Sequence, residues 1–162
     1  MTSAPSKPGP KSGSSRSAAR LAAVQALYQI EMGKETAPKV LKEFHDHRLG
    51  GEIEGDVYVT ADRALLDDLV SGVMARREEI DRLIGDHLAE GWALDRLDRP
   101  MRQLLRAGLY ELLARPDVPT AVVISEYVDV AHAFYEAREA AFVNGLLDRV
   151  ARSIGRIAPA AS

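Results

Sequence analysis

An all-α fold of about seven helices is what this sequence predicts, and three observations carry that prediction. Apolar residues recur with a period near 3.6 in one segment after another between residues 16 and 156. Prolines 38, 100, 116 and 119 stand at the edges of those segments, where a helix tolerates them or ends. No stretch sustains the two-residue alternation of a half-buried strand, and the β-branched run Val122-Val123-Ile124 is outvoted by the helical period that follows it. With 162 residues, 46% of them hydrophobic, the chain has material for one domain with a substantial core.

Residues 1–15 are almost entirely Ser, Pro, Gly, Ala and Lys and are expected to form a disordered tail, leaving 16–156 as the helical domain. The first helix should start near Ser14–Ser17, where hydroxyls can cap free amides, and stop at Gly33. Leu21, Val24, Tyr28 and Met32 share one of its faces, with Leu27 and Ile30 behind them. A short helix follows, capped by Thr36, with Pro38 in its first turn and Val40, Leu41 and Phe44 facing inward. Leu49 to Gly55, with three glycines, reads as a loop.

From Thr60 or Asp62 a long pattern runs through Leu65, Leu66, Leu69, Val70, Val73 and Met74 and on to Ile80, Leu83, Ile84 and Leu88, with the charged Arg76–Glu79 marking a bend between two helices. The clearest stripe is Met101, Leu104, Leu105, Gly108, Leu109, Leu112 and Leu113, preceded by Asp98 as cap and Pro100 in the first turn. Pro119 opens the next helix, with Ile124, Tyr127, Val128, Ala131, Phe134 and Tyr135 as a wide apolar face. The last helix, about Arg138 to Ile154, aligns Val143, Leu146, Leu147, Val150 and Ile154. Phe142 lies roughly 95° from that stripe, at its flank, where core packing and partial exposure both remain open. Gly145 is expected to permit a close helix approach.

The charge is unevenly placed. The net value is −3, yet residues 1–20 contain Lys7, Lys11, Arg16 and Arg20 and no acid, so the remainder sets 17 basic against 24 acidic residues. A basic arm on an acidic body is the pattern of an interaction tail. The chain has no cysteine, which excludes disulfides and thiol chemistry and suits a reducing cytoplasm. No apolar run approaches the roughly 20 residues that span a bilayer, so no membrane association is expected. The four histidines are not spaced as a metal site, and no phosphate loop or nucleophile motif occurs, so neither catalysis nor a cofactor is expected. What remains is contact chemistry: arginines for phosphates and aromatics for bases. Tyr28 and Phe134 lie inside their apolar stripes and read as core, leaving Phe142 as the aromatic whose angle favours contact.

Three segments resemble the NusB family of bacterial transcription antitermination factors. They are Arg20-Leu-Ala-Ala-Val-Gln-Ala-Leu-Tyr28; Leu105-Arg-Ala-Gly-Leu-Tyr-Glu-Leu112 with Asp117-Val-Pro119; and Val123-Ile-Ser-Glu126 through Phe142-Val-Asn-Gly-Leu-Leu-Asp-Arg149. The likeness spans about residues 16–152. It implies two packed bundles of three and four helices and a role without catalysis. It also implies partners: the small-subunit ribosomal protein NusE, boxA RNA, and the RNA polymerase elongation complex with other Nus factors on ribosomal RNA operons. The family's RNA contacts, carried over, fall on Arg16, Arg20, Tyr28, Phe134 and Phe142, with Lys11 of the tail adding attraction. Two departures matter. This chain reads Arg16-Ser-Ala-Ala-Arg20 where relatives often carry adjacent arginines, and Ala141 where they often carry lysine. Both remove phosphate partners, so weak RNA affinity for the isolated chain is expected, with greater reliance on the protein partner. The alternative is a helical protein-interaction module in rRNA processing or modification that does not bind RNA directly.

Overall fold

The computed structural model describes residues 12–47, 52–53, 56–57 and 61–157. Seven α-helices occur among them: α1 Ser12–Gly33, α2 Ala37–His47, α3 Arg63–Ala75, α4 Arg77–His87, α5 Arg99–Ala114, α6 Thr120–Phe134 and α7 Ala137–Ser153, with a 3-10 turn at Leu94–Arg96. The first three pack on one another and the last four do likewise, giving two small bundles joined chiefly where α1 and α3 lie on α5. One continuous apolar core runs through both. No described helix is long and apolar enough to cross a membrane.

Local chemistry explains the boundaries. Asp62 accepts from the Leu65 amide at 2.9 Å and Asp98 from the Met101 amide at 3.2 Å, so each caps a free donor at a helix start. Thr36 plays the same part for Lys39 at 3.4 Å. The long pattern after Asp62 does divide at Arg76, whose φ of −112° and ψ of 21° leave the helical range and separate α3 from α4.

Two boundaries differ from the sequence reading. Helix α1 begins at Ser12, so residues 12–15 are helical rather than tail. The Ser15 carbonyl accepts the Asp62 amide at 3.0 Å, a tertiary bond that helps fix a stretch of weak intrinsic propensity. The loop expected at 49–55 contains an antiparallel pairing of β1 (Glu52–Ile53) with β2 (Asp56–Val57), Glu52 opposite Val57 and Ile53 opposite Asp56. Two residues per strand are too few to show periodicity.

Helix α5 lies at the centre. Its apolar stripe is buried as expected from Met101 to Leu112, with Leu113 partly buried, and so is much of its other side, including Gln103, Arg106 and Glu111. Close packing occurs at two glycines. A Cβ on Gly72 would collide with the Tyr110 ring, and one on Gly108 would meet Leu147 and Tyr127 at 3.2 Å each. Gly145, expected to allow such an approach, faces only Arg149 of its own helix within 4 Å. After α7 the chain turns back, and Arg156 donates from one guanidinium nitrogen to the Leu112 carbonyl at 2.7 Å and from another to the Val118 carbonyl. That fork satisfies backbone acceptors left free where α5 ends.

Candidate nucleic-acid interface

Helices α1 and α6 run side by side in the same direction, Ser17 meeting Glu126 at one end and Tyr28 meeting the groove of Phe134 at the other. The buried face of α1 is made by Ala19, Ala22, Ala23, Val24, Ala26, Leu27 and Ile30. Small side chains let α1 approach its neighbours closely, and the bulkier Tyr28 and Met32 are turned outward. Tyr28 is 37% exposed, Met32 45% and Phe134 41%. These three, with Val24, Pro100 and the polar Gln25, Gln29 and Glu35, line one groove of about 700 Å³.

The polar wall of this groove is fixed in orientation. Gln29 Nε2 donates to Glu35 Oε2 at 3.1 Å and to Glu43 Oε2 at 2.8 Å, which uses both of its amide protons. Glu35 Oε1 accepts from Lys39 Nζ at 2.8 Å. The bonds from Lys39 and then Gln29 hold the Glu35 carboxyl below its ordinary value.

A second groove of about 660 Å³ adjoins the first. Trp92, 59% exposed, and the half-buried Phe142 line it with Met101, Tyr135, Arg96 and Arg138. The ridge between the grooves is formed by neighbours in sequence: Pro100 faces one and Met101 the other, Phe134 one and Tyr135 the other. The rings of Phe134 and Tyr135 stand 6.2 Å apart, tilted by 53°. Tyr135 donates its hydroxyl to Asp98 at 2.7 Å, and burial followed by that carboxylate pushes its phenol well above the ordinary range. Asp98 thus both caps α5 and anchors the ridge.

The sequence-derived site residues are distributed unevenly over this surface. Tyr28 and Phe134, read as core, are exposed, more so than Phe142, and share a groove. Phe142 is half-buried in the adjoining one. Arg16 is half-buried in the first turns of α1, twelve residues and therefore about 18 Å along the helix from Tyr28. Lys11 lies outside the described residues.

Arg20 is corrected. It is 2% exposed, and its guanidinium is committed inside the protein. Nε and Nη2 reach Glu111 at 2.9 and 2.7 Å, and Nη1 reaches Glu126 at 2.7 Å. Glu111 is itself fully buried and also accepts from the Tyr127 hydroxyl at 2.8 Å. Burial opposes the charge on Arg20, but Glu111, with Tyr127 and Glu126 behind it, outweighs burial and keeps the guanidinium protonated. No donor of this side chain is turned to solvent for a phosphate. Arg106 is spent similarly, on Asp81 at 2.8 and 3.0 Å and on Glu31 at 3.3 Å.

Sequence reasoning passed over Trp92, Gln29, Arg96 and Arg138. A lone tryptophan beside Gly91, outside any apolar period, was a signal for an exposed aromatic. The orientation of Gln29 had no such signal, because Glu35 and Glu43 converge on it only in the fold.

A model of the NusB family matches residues 17–152. The transcription antitermination protein NusB of Novosphingobium aromaticivorans is 63% identical over 143 residues, covering 88% of this chain and 97% of that protein. The NusB of Sinorhizobium fredii is 49% identical over 154 residues, covering 95% and 96%. Among solved structures, T. maritima NusB superposes with a TM-score of 0.70 at 32% identity, covering 85% of this chain and 90% of that one. A chain from a crystal structure of antitermination factors NusB and NusE in complex with dsRNA superposes with a TM-score of 0.71 at 25% identity, covering 86% and 97%. Matched over nearly its whole folded length, from residue 17 in α1 to residue 152 in α7, the chain belongs to the NusB family.

Proposed function

We propose that this chain is a non-catalytic transcription antitermination factor of the cytoplasm. It binds boxA RNA together with the ribosomal protein NusE and joins other Nus factors on elongating RNA polymerase at ribosomal RNA operons. The observation that carries the RNA part is the groove between Tyr28 and Phe134, two aromatics from helices far apart in sequence that converge and stay open to solvent. Exposed aromatics facing one groove suit unstacked bases, each worth about 1–3 kcal/mol. Arg16 at one end of α1, with Arg99 and Arg138 exposed near the other, provides cations for the flanking phosphates.

Because Arg20 is committed to Glu111 and Glu126, the arm has one fewer free cation than its sequence suggests. The isolated chain therefore binds RNA weakly and depends on NusE for affinity. Titration of labelled boxA RNA with the chain, alone and with saturating NusE, tests this. Tyr28→Ala and Phe134→Ala should each weaken the joint complex about tenfold or more, at the stacking energies above. Equal, tight binding by the chain alone, or no effect of either substitution, overturns the reading. The protein-only alternative is distinguished by removing residues 1–11 and substituting Arg16→Ala: an unchanged salt slope of RNA binding would favour it.

A further inference from the structure

We infer that the Tyr28–Phe134 groove discriminates among the bases it stacks, accepting those with an exocyclic amine and rejecting uracil, with Gln29 as the reading residue. This rests on the reading that RNA bases enter the groove. Among the described residues that line it Glu35 is the one ionised side chain and none is cationic, so the lining itself offers phosphate no charge partner and suits a base rather than backbone.

The discrimination comes from the amide of Gln29. Its two N–H donors are taken by Glu35 and Glu43, so the carbonyl oxygen is the part left without a partner among the described residues. A flip of the amide would set that oxygen against two carboxylates and leave its donors idle, so the orientation is locked. The groove therefore offers an acceptor, strengthened because both donors of the same amide are bound to carboxylates. The exposed Gln25 carries both a donor and an acceptor and does not discriminate. Cytosine meets the acceptor with the N4 amine, and adenine with the N6 amine. Uracil has only N3–H to give, flanked by two carbonyl oxygens that face the same acceptor wall.

The test compares fluorescently labelled 12-nucleotide oligo(rC) and oligo(rU) in titrations of the full chain at low salt, where binding is strongest. The chain should bind oligo(rC) about three- to tenfold more tightly, as one hydrogen bond allows. Gln29→Met, which keeps the side-chain length but removes the acceptor, should bring the ratio towards one. Glu43→Ala, outside the groove, removes the acceptor that holds one Gln29 donor, so it should lower the ratio by freeing the amide to turn, and it guards against a folding defect in Gln29→Met. A ratio near one in the unmodified chain, or one that survives both substitutions, overturns the inference. Tyr28→Ala separates the two levels of the argument. It should weaken both oligonucleotides together, and unchanged binding of both would show that bases do not enter the groove at all.

Discussion

Replacing Arg20 should cost the protein its stability before it costs any RNA contact. Arg20→Met removes the bonds to Glu111 and Glu126 and leaves Glu111, fully buried, with the Tyr127 hydroxyl as its remaining hydrogen-bond partner among the described residues. Breaking a buried pair from one side costs about 3–5 kcal/mol, mainly because the surviving charge is stranded. Against a total of about 5–15 kcal/mol the protein stays folded at low temperature. With a urea slope of about 2 kcal/mol/M, the midpoint should fall by roughly 1.5–2.5 M. The assay is urea unfolding followed by far-ultraviolet circular dichroism, with RNA titration of the folded variant alongside. Adding Glu111→Gln to Arg20→Met should recover part of the loss, since a neutral amide still accepts from Tyr127 without a stranded charge. RNA affinity of the folded variant should stay within about twofold of the unmodified chain. An unchanged urea midpoint with a tenfold loss of RNA binding would refute the assignment and return Arg20 to the interface.

Two glycines should respond in opposite directions. Gly85 sits on exposed α4 with nothing within 4 Å of an added Cβ, so Gly85→Ala should stabilise by about 0.5–1 kcal/mol and raise the melting temperature by about 1–4 °C. Gly72→Ala drives a methyl into the Tyr110 ring, whose hydroxyl is held by Asp68 at 2.6 Å, and should cost about 3 kcal/mol. Melting curves of both variants check this, and similar shifts for the two would contradict the packing described. At high pH, Tyr110 is pushed up to about 12 by burial and Asp68, and Tyr127 and Tyr135 are also raised. Unfolded phenols ionise near 10. Their contribution to stability is therefore complete below about pH 10 and lost as pH climbs through the raised native values. Phenolate absorbance should rise in step with loss of helix above pH 10, and ionisation of these tyrosines near pH 10 with the helices intact would count against their burial.

Helix count, the caps at Thr36, Asp62 and Asp98 and the bend at Arg76 were readable because each depends on residues within a few positions of one another, whereas the hydroxyls of Ser14–Ser17 lie inside α1 and do not start it. The site was harder, for a specific reason. On α1 the expected face was Leu21, Val24, Tyr28 and Met32, with Leu27 and Ile30 behind it; Val24, Leu27 and Ile30 are buried, but packing completes that face with Ala19, Ala22, Ala23 and Ala26, whose small side chains allow close approach. Tyr28 was released to solvent as a result. Arg20 sits among those alanines, and its burial depended on Glu111 and Glu126, 91 and 106 residues away. Phe142, placed by angle alone at the flank of its stripe, is indeed half-buried.

The buried pairing of Arg20 also bears on how finely the groove can be set. Apolar faces attract without direction, and an alanine-lined helix can slide a fraction of a turn along its neighbour with little change in contact. Hydrogen bonds tolerate no such slip. By gripping Glu111 on α5 and Glu126 on α6 at once, Arg20 indexes α1 axially against both, as a detent stops a sliding rod. Tyr28 rides on that rod eight residues away, and Phe134 on the very helix that holds Glu126. The spacing of the two aromatic rings is thus dictated from inside the core, by a charge that never reaches the surface.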